Sequence, residues 1–136
     1  MHQLTYMSTA KPGLTLADVE SILAAAWHRN ATEGLSGRLL FDGVRFLHVI
    51  EGARAPVLAA FERIRLDERH HAVVLLASRE IDSREFGDRG MALDHVDPVA
   101  EDEAITRAVN ALVPFADAKG IRDLFSRFRR LNRKVA

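Results

Sequence analysis

The chain contains no cysteine, which excludes disulfides, thiolate metal sites and cysteine nucleophiles together. It also lacks net charge: 19 basic residues balance 19 acidic ones. Without an excess of either sign, whole-surface attraction to nucleic acid or to an anionic membrane is not expected. No apolar run approaches the roughly 18–20 residues needed to span a bilayer. No basic patch followed by an apolar run marks a secretory leader either, so the cytosol is the expected compartment. Phosphate-cradling glycine loops, nucleophile elbows and paired-carboxylate signatures are missing as well. An enzyme is therefore not expected.

What is present is one domain's worth of ordinary globular sequence. The 136 residues are 48% hydrophobic and 28% charged, enough to bury a core and too few for an attached catalytic domain. Residues 3–8 read as a short strand that ends in Lys11-Pro12-Gly13. Thr15 followed by Asp18 resembles an acidic capping box. It opens a helix whose Leu16, Val19, Ile22, Leu23, Ala26 and Trp27 recur at spacings of three and four. Asn30 and Gly34 close it. Residues 38–42 and 45–50 flank Gly43-Val44 as a hairpin. Pro56 suits the first turn of a second helix carrying Val57, Leu58, Phe61 and Ile64. Residues 71–78 form the strongest strand, apolar at consecutive positions, and a polar connection over 79–90 leads to a last strand near 91–96. This order predicts an α+β fold, a ferredoxin-like βαββαββ sheet.

Strand parity adds a constraint. In the third strand Phe46, His48 and Ile50 share one face while Leu47 and Val49 share the other, so both faces need cover. The two core helices can cover one. Two C-terminal helices, over 98–112 and 117–134, can cover the other, the second through a stripe of Ile121, Leu124, Phe125, Phe128 and Leu131. The expected division is a domain at 1–97 and a helical extension at 98–136.

By residue type and spacing alone, the chain offers few chemical candidates. Its six histidines are scattered. His70 and His71 would diverge if a strand starts there, so no metal site is expected. Glu51 beside Gly52 is either a catalytic carboxylate at a tight turn or a polar strand end before a required glycine.

Several short stretches in a fixed order are more informative. Leu4-Thr5-Tyr6-Met7-Ser8 resembles the first strand of the BLUF family, flavin-binding sensors of blue light. Asn30-Ala31-Thr32-Glu33-Gly34-Leu35-Ser36-Gly37 is similar to its Asn-x-x-x-Gly-Ile-Thr-Gly stretch. Arg45-Phe46-Leu47-His48-Val49-Ile50-Glu51-Gly52 resembles Phe-x-Gln-x-Leu-Glu-Gly. Ile64-Arg65-Leu66-Asp67-Glu68-Arg69-His70 is close to Ile-x-x-Asp-x-Arg-His, and Arg84-Glu85-Phe86-Gly87-Asp88-Arg89-Gly90-Met91 to Arg-x-Phe-x-x-Trp-x-Met. The independently read strand order agrees with that family.

The resemblance implies a flavin ring (FAD, with FMN or riboflavin as options) between the two core helices. It makes Tyr6 the photo-oxidised tyrosine; a core tyrosine bonded elsewhere is the plainer reading. Asn30 would hold the polar edge of the ring by its amide, or simply end the helix in a left-handed conformation. Arg69 and His70, at the end of the second helix, would lie near the ring's polar and ribityl side, or be surface and helix-dipole residues. Ile22, Leu23 and Phe46 would wall the ring or be plain core. Arg63 is a weaker candidate contact.

Two positions depart from the family. His48 replaces the glutamine that bridges tyrosine and flavin. A glutamine amide can flip or tautomerise to exchange donor and acceptor ends, whereas imidazole is rigid and shorter. Imidazole also titrates near neutral pH, and a cation there would favour negative charge on a reduced flavin. Arg89 replaces the family tryptophan, and Arg29 stands where a smaller polar residue neighbours the asparagine. The resemblance implies output through a protein partner or a homo-oligomer, with an altered photocycle; a flavin-free oligomerising module is the alternative. The seven basic residues between Lys119 and Lys134 are read as a solvated helix face ahead of a nucleic-acid or acidic-protein site.

Overall fold

The computed structural model describes residues 1–86 and 91–95, apart from the side chains of residues 27, 28 and 91–95. The elements follow in the order β1 (His2–Ala10), α1 (Leu16–Thr32), β2 (Ser36–Phe41), β3 (Arg45–Gly52), α2 (Arg54–Arg65), β4 (His70–Glu80) and β5 (Met91–His95). One five-stranded sheet has the order β4-β1-β3-β2-β5. Its first four strands pair antiparallel, and β5 lies parallel to β2. This is the α+β, ferredoxin-like plan with one added strand. The C-terminal helices, the 98–136 extension, Trp27, Arg89 and the face taken by Met91 lie outside the described residues.

Local chemistry sets the element ends. The Thr15 hydroxyl accepts from the Asp18 amide at 3.2 Å while the Asp18 carboxylate accepts from the Thr15 amide at 2.9 Å. The capping box thus satisfies two donors that a helix start otherwise leaves unpaired. At the other end Gly34 takes the left-handed conformation, φ +70°, as a C-terminal glycine does. Asn30 stays within the helix, so the left-handed helix end expected as one option for it is corrected: glycine supplies that geometry. Between β2 and β3 the Asp42 carboxylate accepts from the amides of Val44 (2.9 Å) and Arg45 (2.6 Å), and Gly43 has φ +93°. An aspartate closing on nearby amides beside a left-handed glycine is the chemistry of a tight turn.

Both sheet faces are buried, as β3 parity predicted. Beneath α1 and α2 the core gathers Leu4, Tyr6, Leu35, Ile50, Val57 and Ala60 on one side and Val19, Leu39, Phe41 and Phe46 on the other. On the opposite face Met7, Leu40, Leu47 and Val49 are buried too. Three apolar side chains depart from the expected pattern. Leu58 is 38% exposed and Ala60 is buried in its place, because the inward stripe of α2 runs 57, 60, 61, 64. In β4, Val74 and Leu75 are 46% and 49% exposed, because this strand lies at the edge of the sheet.

Candidate functional site

The alternation of β-strand side chains brings the site together. Tyr6 and His48 are direct partners in the β1–β3 register, flanked by Leu4 opposite Ile50 and Ser8 opposite Phe46. Directly opposed side chains have Cβ atoms about 4.5–5.5 Å apart, close enough for long groups to touch. The Tyr6 hydroxyl lies 2.8 Å from His48 Nδ1, their rings meeting edge to face at 5.3 Å between centroids. Phe61 from α2 packs on the tyrosine ring at 5.6 Å.

Burial decides the protonation of this pair. Desolvation, with a smaller push from Asp67, holds the Tyr6 hydroxyl above the usual tyrosine range. Desolvation, helped by the nearby His70, lowers His48 to about 3. A charged imidazole is too costly in this setting. His48 is therefore neutral at neutral pH, which corrects the expectation that it would titrate there and carry a cation. A neutral imidazole has one donor and one acceptor nitrogen. With the proton on Nε2, Tyr6 donates to Nδ1; in the other tautomer Nδ1–H donates to the tyrosine oxygen. The direction of the bond is tied to the tautomer.

His70 sits at the start of β4, not at the end of α2, which stops at Arg65. Its Nε2 bonds the Ile64 carbonyl and its Nδ1 lies 2.7 Å from the Ser8 hydroxyl. A carbonyl can only accept, so Nε2 carries hydrogen, and in the neutral ring Ser8 donates to Nδ1. His71 is exposed while His70 is half-buried, so the pair does diverge. Arg69 lies in the turn before β4 and not on the helix, which removes the helix-dipole option for it. It forks onto Asp67, with Nε at 2.9 and 3.1 Å from the two carboxylate oxygens and a second contact from Nη2. That bonding pulls the Asp67 carboxyl below its ordinary range.

These groups line one cavity of about 190 Å³ between α1, α2 and the sheet. All eight residues singled out from the sequence line it: Tyr6, Ile22, Leu23, Asn30, Phe46, His48, Arg69 and His70. The cavity also takes Val19, Leu39, Ile50, Ala60 and Asp67, which were not assigned to it, together with Arg29 and Arg63 at its mouth. Parity offered a signal for Leu39 and Ile50, since both share the His48 face; Asp67 stands at the aspartate of the Ile-x-x-Asp-x-Arg-His stretch but was given no role there. The Asn30 side chain is nearly buried and has no hydrogen-bond partner among the described residues. Its amide can donate and accept in the same plane. An apolar slot, one unspent amide and a polar rim suit a planar heteroaromatic ligand with a hydrogen-bonding edge. A flavin ring has that chemistry.

Glu51 stands on the other face of β3 and outside the cavity, so the option of a catalytic carboxylate falls. Fully buried, it accepts from Gln3 (3.2 Å), Ser36 (3.0 Å) and the backbone amides of Glu85 (2.9 Å) and Phe86 (2.7 Å). Arg84 adds bonds to the Ser36 hydroxyl (2.9 Å) and the Gly34 carbonyl (2.6 Å). The carboxylate thus pins the connection after β4 to the sheet. Among the described residues no three His, Asp or Glu side chains converge as a metal site.

Fold and cavity together define a small α+β ligand-binding domain with its ligand held between two helices above a sheet. The chain belongs to the BLUF family, "sensors of blue-light using FAD", whose family model matches residues 1–92. It is thus a flavin-binding blue-light sensor domain by family. It is 34% identical over 84 residues to the photoactivated adenylate cyclase subunit alpha of Euglena gracilis, matching 62% of this chain and 8% of that protein. It is 31% identical over 90 residues to the blue light- and temperature-regulated antirepressor BluF of Escherichia coli K12, matching 66% of this chain and 22% of that protein. Among solved structures, the dark-state structure of the BLUF protein BlrB superposes with a TM-score of 0.67 at 30% identity, over 83% of this chain and 78% of that one. The chain therefore spans only a small part of the first two relatives.

Proposed function

We propose that this chain holds a flavin ring between α1 and α2 and reports blue light through protein contacts, with a photocycle altered by His48. A bound flavin supplies the blue-light absorption and accepts an electron. The protein residues do the rest. Ile22, Leu23 and Phe46 wall the ring and exclude water, Asn30 holds its polar edge, and Arg69 with His70 borders its polar side. Tyr6 is the electron donor of the site. His48 receives or gives the hydrogen bond that positions the Tyr6 hydroxyl.

The observation that carries the reading is the 2.8 Å Tyr6–His48 bond in a buried cavity. It keeps the aromatic donor oriented, but through a ring that lacks the reach and two-ended flip of an amide. The residue can change tautomer; it cannot swing. A response that depends on rearranging this position is therefore weakened. For output, the antirepressor relative is by name light-regulated, which supports signalling to a protein partner or a second copy of this chain. Residues 98–136 are the proposed extension beside the sensor domain at 1–97.

Absorption spectra of the purified protein in the dark and after blue light test this. The expected result is a yellow protein with little or no reversible red shift, and a shift gained in His48→Gln. A colourless protein that fails to take up FAD, FMN or riboflavin would sink the reading in favour of a flavin-free oligomerising module. A full red shift in the unmodified protein would remove the altered photocycle and keep the sensor.

A further inference from the structure

Three of the residues lining the cavity are exposed, and all three are arginines: Arg29, Arg63 and Arg69. Every other lining residue is buried or half-buried, so the open side of the cavity is a guanidinium rim. Two of the three already have an acid. Arg63 pairs with Glu33 at 2.9 Å, and Arg69 is forked onto Asp67. Arg29 has no acidic partner among the described residues. The rim therefore carries one cation more than it neutralises.

Size adds a second constraint. At about 190 Å³ the cavity is smaller than the roughly 300–1,000 Å³ of pockets that enclose a whole drug-sized ligand. It can enclose a ring system and must leave a tail at the rim. A helix C-terminus favours a nearby cation, which accounts for some basic residue late in α1. It does not account for a rim made only of arginine, the side chain whose planar fork matches phosphate oxygens. Arg29 also adjoins Asn30 in sequence, so one turn of α1 carries both the amide for the ring edge and a cation for the tail.

Resting on the flavin reading above, we infer that Arg29 binds the phosphate ester of the ligand tail, so that the site selects a phosphorylated flavin over riboflavin. Specificity then lies at the rim, while the slot treats all flavin rings alike. The ion pairs of Arg63 and Arg69 hold those two side chains at the mouth, leaving Arg29 to meet the incoming anion.

The test is titration of flavin-free protein with riboflavin, FMN and FAD, followed by flavin fluorescence at low and high salt. FMN and FAD should bind about tenfold more tightly than riboflavin, as expected for one charge-assisted contact near the surface. Salt and inorganic phosphate should erode that advantage without affecting riboflavin. Arg29→Gln should abolish the difference at unchanged riboflavin affinity, and Arg29→Lys should keep part of it. Equal affinities in the unmodified protein, or an advantage that persists in Arg29→Gln, would overturn the assignment. A gain for FAD alone would overturn it as well, since the first phosphate would then not be the group read. If none of the three binds, the flavin reading itself falls and this inference with it.

Discussion

At the scale of single residues, the central fact is that His48 is kept neutral by its surroundings. Its folded pKa is lowered to about 3, below an ordinary histidine value near 6.5. Between those values the unfolded chain binds a proton that the folded chain does not. Stability conferred by burying the neutral ring is thus fully present above about pH 6.5 and lost as pH falls toward about 3. The slope for one such proton is about 1.4 kcal/mol per pH unit. Urea unfolding across this range should show that decline, and His48→Gln, which cannot titrate there, should flatten it by about one proton's worth. An unchanged slope in the variant would mean that other groups carry the acid sensitivity. The eight cavity residues were nameable from the sequence because its short stretches resemble the BLUF family's in a fixed order, and strand parity independently put Phe46 and His48 on one face. The charge state of His48 was not, because it depends on how much water the fold removes.

At the scale of elements, two glycines and one threonine set the joints around the cavity. A Cβ on Gly52 would stand 2.8 Å from the Gly34 carbonyl oxygen and 3.1 Å from the Leu35 side chain. The end of β3 and the end of α1 meet there with no room for a methyl group, and the obstructing atom is backbone. Gly52→Ala should therefore cost about 1–3 kcal/mol, the usual penalty for overpacking, and displace the α1 end that carries Asn30. Thermal unfolding measures the first effect, and weakened flavin uptake the second. A substitution that leaves both unchanged would show that the joint yields freely. Strand and helix order was legible at this scale from periodicity, capping and turn residues. One element-level reading failed for a reason sequence does not carry: the resemblance put Arg69 and His70 at the end of the second helix, whereas a four-residue turn separates α2 from β4.

At the scale of the molecule, one buried carboxylate ties distant parts together. Glu51 joins β1 through Gln3, the start of β2 through Ser36, and the post-β4 connection through the amides of Glu85 and Phe86. Removing it takes the acceptor from four donors at once, of which the Gln3 amide alone keeps a second one, the Glu85 carboxylate at 2.9 Å. Glu51→Ala should cost about 3 kcal/mol or more, in line with broken buried networks. It should also speed amide hydrogen exchange at residues 85 and 86 ahead of the sheet centre. If those amides stay protected, the connection is held by something other than this side chain. The sequence left Glu51 open between catalytic group and strand end, and only the opposite-face geometry decided it.

The alternation along β3 has a consequence for how such a protein can diverge. Positions 46, 48 and 50 look into the ligand cavity, while 47, 49 and 51 look away from it. Mutations at the even positions can retune what the cavity responds to without rewriting the far side. Mutations at the odd positions can alter the far side without touching the ligand. One six-residue stretch thus carries two interleaved records, each open to drift while the other is held under selection.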